Sequence, residues 1–413
     1  MVERCPEEAG VGSSILPLGT TDKFVISLSS NMSYEEPIIR ETQKEGEAPH
    51  PLEGVSFERA VEKIISDGDR LMQEYSRREN RVFHTIEHPN ALHERGKKMA
   101  DALGISREQR NIADIAISWH DVVMNVEPAN PEKVSATIKR NRGARQGDAP
   151  GGVNGNEAES ARMMERSMQR VNLEADREVF SEDQIKTAFF AVEATYPGVE
   201  LGKDFKGAVF KEYSYYDAVI LQNPEIRRII DDLEKKGITK GALFSQPHLE
   251  APLERGERVP EEVLIMVLDD LGGAGMIGRE EFAEEGDREF RELYINISRP
   301  DSTRRLLEGD DEKDKSDRGE AASTMLGWLK SQTSFVAWQM LRFEKIIYLL
   351  RNNGQIIGDK EVKLRGLVSH FEDNIHGTSE RAEEAEKKYA EIKNREGDKA
   401  AFSYLARAMH IEI

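Results

Sequence analysis

Apolar residues return every three or four positions in segment after segment of this chain, and that period constrains the fold more than any other feature. Val61, Ile65, Gly68, Met72 and Tyr75 form one such stripe. His88, Leu92, Arg95, Met99 and Leu103 form the next, with Gly104 as a stop, and Ile112, Ala116, Trp119 and Val123 a third. Side chains at that spacing share one face of an α-helix. The pattern resumes over Ala158 to Val171 and Ile185 to Val192, then over 207 to 236 as two helices broken at Asn223-Pro224. A loop containing Pro and Gly follows to Pro260. Val263, Val267 and Asp270 fall on one face, and helices follow over 280–297, Met325 to Leu350, 379–395 and 399–410. No convincing strand alternation appears, so the expectation is an all-α helical bundle.

The domain plan read from the same pass has four parts. Residues 1–52 lack periodicity and end in Gly46-Glu47-Ala48-Pro49-His50-Pro51, which reads as a flexible leader. An ordered domain spans 53–300, with an insertion at about 198–260. The acidic run at 301–322 reads as a linker, and 323–413 as a C-terminal helical extension packing on the domain.

Composition enters through what it excludes. A net charge of −19 over 413 residues disfavours duplex nucleic acid as a partner. No apolar run reaches the ~18 residues of a membrane span, and the first residues lack a secretory pattern, so a cytoplasmic setting is expected. The single cysteine, Cys5, leaves imidazole and carboxylate as the means of holding a metal. Oligomeric state is left open.

The chemistry is concentrated in a few positions. Four of the nine histidines lie between 84 and 120. His84 and His88 project from neighbouring helical turns, and His120-Asp121 closes an apolar helix with two polar groups that need partners when buried. Asp270 ends another apolar run. A metal would supply a partner to all of them, whereas each taken singly also reads as a hydrogen-bonded core residue or a helix cap.

The surrounding words resemble a known family. Phe83-His84-Thr85-Ile86-Glu87-His88 resembles the Tyr-His-Asn/Thr-x-x-His signature of a bacterial branch of metal-dependent HD phosphohydrolases. Ile117 to Val123 resembles the helix bearing that branch's His-Asp doublet. Asn156 to Ala161, Val192 to Thr195, Leu268-Asp269-Asp270-Leu271 and Arg291-Glu292-Leu293-Tyr294 resemble later words in the same order.

The resemblance implies an HD-domain-like bundle that hydrolyses a small phosphate ester, such as a nucleotide or cyclic nucleotide. It implies one divalent ion (Mn, Mg, Co, Ni, Fe or Zn) on His88, His120, Asp121 and Asp270, with Asp269 the rival for the last place. Asp121, His84 and Glu157 become the catalytic candidates; Glu157 reads equally well as an exposed acid in a first helical turn. Lys139, Arg140 and Arg291 are the candidate phosphate-binding cations, with Arg142, Arg145, Lys97 and Lys98 as alternatives. The chain departs from the branch at Met124-Asn125, where a phenol and a carboxylate usually stand, and in about 75 residues of insertion before Asp270. A degenerate HD protein acting as a ligand sensor or interaction module is the first alternative. A diiron oxygenase is the second, set back by the lack of histidine between 122 and 247.

Overall fold

In the computed structural model, residues 55–124, 156–196, 198–204, 223–236, 240–270 and 272–413 are described. They belong to one compact unit. The leader at 1–52, Asn125, the loop with Lys139, Arg140, Arg142 and Arg145, and Tyr213, Tyr215 and Tyr216 lie outside those residues.

Three helices open the fold: α1 (Phe57–Glu79), α2 (Glu87–Leu103) and α3 (Arg107–Trp119). Local chemistry sets their ends. The Ser56 hydroxyl accepts the Arg59 N–H and caps α1, which ends at Asn80 in the left-handed region at φ 53°. Ser106 and Gln109 form a reciprocal capping box on α3, and Gly104 (φ 66°) ends α2. The helices α1 and α3 pack closely because Gly68 has no side chain: a Cβ there would lie 2.7 Å from Trp119 Nε1. That indole N–H donates to the Ile64 carbonyl at 2.9 Å.

Helices α4 (Asn156–Glu174) and α5 (Glu182–Glu193) follow, α5 opened by a second capping box from Ser181 and Gln184. Next come strand β1 (Gly198–Asp204), helix α6 (Pro224–Lys235), strand β2 (Lys240–Ser245) and helix α7 (Pro247–Glu254). The apolar helix α8 (Glu261–Asp270) then packs on α2, α3 and α5 at the centre of the core. Short helices α9 (Gly273–Met276) and α11 (Ile295–Ser298) flank α10 (Arg279–Leu293). The chain ends with α12 (Pro300–Glu308), α13 (Glu312–Asn352), α14 (Asp359–Leu367), α15 (Phe371–Glu396) and α16 (Asp398–Ala408). The fold is helical as expected, with one antiparallel ribbon, β1 on β2, that periodicity did not indicate. No helix among the described residues is long and apolar enough to cross a membrane.

Two segments differ from expectation. Residues 301–322 are not a linker but α12 and the first turns of α13, with Leu306, Ala321 and Ala322 buried. Their buried acid is compensated within the segment: Asp317 lies against Arg305 at 3.1 Å and Lys313 at 3.0 Å, and the neighbouring Arg318 donates to the Leu306 carbonyl at 2.6 Å. The span from 236 to 260 holds β2 and α7, where a loop was expected; Leu249 and Leu253, one turn apart, are buried.

The C-terminal helices share the main core. Val336, Trp338, Leu341, Phe343, Ile346, Ile347 and Leu350 of α13 join the same apolar cluster as Ile64, Leu92 and Ile117. Burying each such large side chain stabilises by about 1.5–3 kcal/mol. A smaller cluster gathers Phe290, Leu306, Met325, Phe402 and Met409.

Candidate metal centre

Three separate stretches deliver the polar side chains at the heart of the core. The turn after α1 carries His84 and leads into His88 in the first turn of α2; the end of α3 carries His120 and Asp121; the end of α8 carries Asp270. All but Asp270 are buried, and the Asp270 side chain is only 16% exposed.

The His84 turn is held by Glu292 of α10. One carboxylate oxygen accepts the N–H groups of Val82, Phe83 and His84 at 2.9, 2.8 and 3.0 Å, and the other takes the His84 Nδ1–H. Burial opposes a charge on Glu292, yet the His84 imidazole and these N–H groups outweigh it and hold the carboxyl far below its usual range. Arg81, in the same turn, donates to the carbonyls of Asp121 at 2.9 Å and Val122 at 3.1 Å. The turn is therefore tied to the chain leaving α3. From the other side, the Ser160 hydroxyl of α4 accepts the Val123 N–H at 3.0 Å.

His120 Nδ1 lies 2.7 Å from the Ile117 carbonyl, an acceptor only, so the proton sits on Nδ1 and Nε2 faces inward. That Nε2 stands 2.9 Å from Asp121 Oδ2 and 3.2 Å from His88 Nε2. Asp121 Oδ2 is also 3.5 Å from both His88 Nε2 and His84 Nε2. Asp270 Oδ1 approaches the Nε2 atoms of His88 and His120 to 3.8 Å each. His88, His120 and Asp121 offer donor atoms all within 4.8 Å of one another, and Asp270 stands at the edge of that set.

These separations suit a single ion. Two donors each ~2.1 Å from a common ion lie ~3.0 Å apart at right angles and ~3.4 Å apart at the tetrahedral angle. The measured donor distances run from 2.9 to 3.8 Å. Two inward-facing imidazole nitrogens at 3.2 Å need a proton or a cation between them, and a buried carboxylate beside them supplies the charge that retains a cation. The buried His88, His120 and Asp121 group can hold a metal ion.

Electrostatics agree. Burial disfavours a charged His120, but Asp121 and, behind it, Asp270 outweigh burial and raise its pKa to about 9. Burial lowers His88, with Asp270 opposing. Burial would raise Asp121; the imidazoles of His120, His84 and His88 instead hold it well below the carboxylate range. In the metal-free protein His120 thus keeps a proton up to about pH 9, against ~6.5 when unfolded. That stabilisation is present below ~6.5 and lost as the pH rises through about 9. Because an ion must displace this proton, metal uptake near pH 7.5 is expected to release about one proton per ion. Titration calorimetry in buffers of differing ionisation enthalpy measures it, and a heat that does not change with buffer would contradict it.

A partner on another helix distinguishes Asp269 from Asp270. Asp269 is fully buried with its Oδ1 3.1 Å from Arg95 Nε, while Asp270, one step around the helix, faces the imidazoles. Burial pushes the Asp269 carboxyl up, with Arg95 opposing. Asp269→Ala leaves the buried Arg95 guanidinium with Glu285, 3.4 Å from its Nη1, as its remaining acid, and is expected to cost about 3 kcal/mol of stability with metal content unchanged. Asp270→Ala is expected to cost about 1 kcal/mol or less and to weaken metal retention. Denaturant unfolding and elemental analysis on the two variants read the difference; the reverse pattern would reassign the pair.

Other expected site residues fare unequally. Glu157 sits half-buried on the first turn of α4, the helix whose Ser160 holds Val123. Arg291 does not join the group: its guanidinium donates to the His410 carbonyl at 3.1 Å. Lys97 and Lys98 are exposed, and Lys139 and Arg140 lie outside the described residues. Glu292 and Arg81, which organise the turn, were not anticipated. Glu292 is off the buried stripe of Phe282, Gly286, Phe290 and Leu293, so periodicity carries no sign of it. Its only signal was the Arg-Glu-Leu-Tyr word, in which Arg291 drew the assignment.

A serine–histidine–aspartate alignment also occurs nearby. His93 Nε2 is 3.0 Å from Ser118 Oγ, and His93 Nδ1 is 3.2 Å from Asp114 Oδ1. Ser118 is completely buried, so no substrate reaches it, and the alignment fastens α2 to α3.

Comparison of the chain with protein-family models, curated proteins and solved structures gives no match. The functional reading therefore stands on the geometry of the centre together with the sequence words around it.

Proposed function

We propose that this chain is a metal-dependent phosphohydrolase of the HD type, acting on a small phosphate ester with one divalent ion. The observation that carries the reading is the convergence of His88, His120 and Asp121, buried, with donor atoms within 4.8 Å of one another. His88, His120, Asp121 and Asp270 would hold the ion. When bound, it supplies acidification of water and neutralisation of charge developing on phosphate oxygens.

The chain's own residues do the rest. Asp121 balances the charge of the imidazoles that face it. The His84 Nδ1–H is committed to Glu292, which leaves His84 Nε2 facing the same space as Asp121 Oδ2, 3.5 Å away. Protonated there, it would donate to a phosphate oxygen or leaving group, and Glu292 stabilises that charged form. Beside the turn that bears His84 lies an open cleft of about 630 Å³ lined by Gln73, Ser76, Arg77, Asn80, Arg81 and Thr85. Arg77 in its lining suits an anionic substrate, whereas Arg81 is spent on Glu79 and on the Asp121 and Val122 carbonyls. Among the described residues one such donor group is present, which favours one ion over the two of a diiron oxygenase.

The test is bound-metal analysis of the purified protein with a screen of phosphomonoester and phosphodiester substrates in Mn, Mg, Co and Ni. Metal-dependent turnover is expected. Metal binding without turnover would favour a sensor, a reading that buried Met124 supports by standing where a phenol is usual. A protein that binds no metal and turns over nothing would overturn the enzyme reading.

A further inference from the structure

Asp121 sits on a stretch of chain that has already left its helix. Helix α3 ends at Trp119 with His120 as its cap, and the Val122 N–H closes one further turn on the Trp119 carbonyl at 3.2 Å. Beyond that turn the backbone is pinned by side chains from two other elements. Arg81 Nη1 donates to the Asp121 carbonyl at 2.9 Å and Nη2 to the Val122 carbonyl at 3.1 Å, while the Ser160 hydroxyl accepts the Val123 N–H at 3.0 Å. The Arg81 side chain has no exposed surface, and Ser160 is fully buried.

Arg81 is itself held in place. Its Nε and Nη2 meet Glu79 Oε2 at 2.9 and 2.6 Å, its Nη1 lies 3.7 Å from Met72 Sδ, and its own N–H donates to the Ser76 carbonyl at 2.9 Å. The planar guanidinium thus spans one carboxylate and two carbonyls, an arrangement that a lysine ammonium cannot reproduce. It also places a cation at the carboxyl end of α3, where the helix dipole favours one. Asp121 Oδ2 stands 2.9 Å from His120 Nε2 and 3.5 Å from those of His88 and His84. A donor set of this kind works only while its members stay within about 0.5 Å of place. Gripping the main chain of a donor residue fixes where its carboxylate can reach.

We propose that Arg81 is a positioning residue of the metal centre: it holds the Asp121 main chain so that the carboxylate meets the imidazoles, and Ser160 holds the same stretch from the other side. This rests on the metal-binding part of the proposed function and not on hydrolysis. Neither residue is a donor to the ion.

The experiment titrates Co(II) into the full-length protein, read by its visible absorption, for wild type, Arg81→Lys, Arg81→Ala and Ser160→Ala, with urea unfolding on each. Arg81→Lys keeps the charge and loses the fork, and is expected to weaken Co binding about tenfold to a hundredfold. Ser160→Ala is expected to weaken it about threefold to tenfold, and serves if neither Arg81 variant folds. In Arg81→Ala, guanidinium at concentrations far below those that unfold the protein is expected to restore Co binding, entering by the cleft that Arg81 lines. A merely destabilised protein would gain nothing from that ion, which weakens folded proteins. Equal Co affinity in wild type, Arg81→Lys and Ser160→Ala would overturn the proposal, as would guanidinium that restores nothing in a folded Arg81→Ala protein. Wild type that binds no Co would overturn it together with the metal centre. Co binding that tracks Arg81 in a protein without turnover would sink the phosphohydrolase reading and leave the positioning role standing.

Discussion

The Asp121→Ala protein is expected to lose its metal and to fall in turnover by on the order of a thousandfold or more. Asp121 Oδ2 reaches all three imidazoles, at 2.9 Å from His120 and 3.5 Å from His88 and His84. Without it, two inward Nε2 atoms remain with Asp270 at 3.8 Å, a ligand set with half its negative charge. The His120 pKa also falls, because Asp121 is the main group raising it against burial. Loss of the ion and loss of turnover should therefore occur together, with the helical circular dichroism retained. Elemental analysis and initial rates on a substrate of the wild type measure both. An Asp121→Ala protein that keeps its rate would place the chemistry elsewhere in the molecule.

What the sequence made legible follows from what is local. The stripes at three- and four-residue spacing yield α1 to α5 and α8 because an amphipathic helix writes its buried face directly into the chain. The His120-Asp121 doublet stood out because two polar groups end an otherwise apolar helix. Features that depend on a distant partner were hidden. Asp269 and Asp270 are equivalent in a linear reading, and only Arg95, on another helix, separates them. The run 301–322 read as solvated because its acids were visible, whereas the bases that neutralise Asp317 sit four and twelve residues away and compensate it only once the helices form. The strands β1 and β2 pair across roughly forty residues of chain, and β1 offers only Val199 and Leu201 as an alternating pattern. Glu292 lies 208 residues from His84, and no spacing rule connects them.

That long-range tie should be among the costliest to cut. Glu292→Gln preserves shape, size and one oxygen, yet the site demands two acceptors: one for the N–H groups of Val82, Phe83 and His84, the other for His84 Nδ1–H. An amide supplies one. Turned one way its NH₂ opposes three backbone donors; turned the other it faces His84 Nδ1, which accepts only in the opposite tautomer, so the charge-assisted arrangement is lost either way. Glu292 is 2% exposed, and water offers little relief. Breaking a buried, charge-assisted arrangement of this kind costs about 3–5 kcal/mol. Because the folded-state pKa of Glu292 is depressed, its contribution is present above the unfolded value of ~4.3 and is lost as the pH falls below it. The deficit of Glu292→Gln against wild type should therefore be full at pH 7 and shrink in acid, and urea unfolding at both pH values measures it. The released turn also frees His84, so metal affinity should drop about tenfold to a hundredfold with every direct ligand intact. A deficit below about 1 kcal/mol at pH 7 would mean that backbone packing, and not the carboxylate, holds the His84 turn.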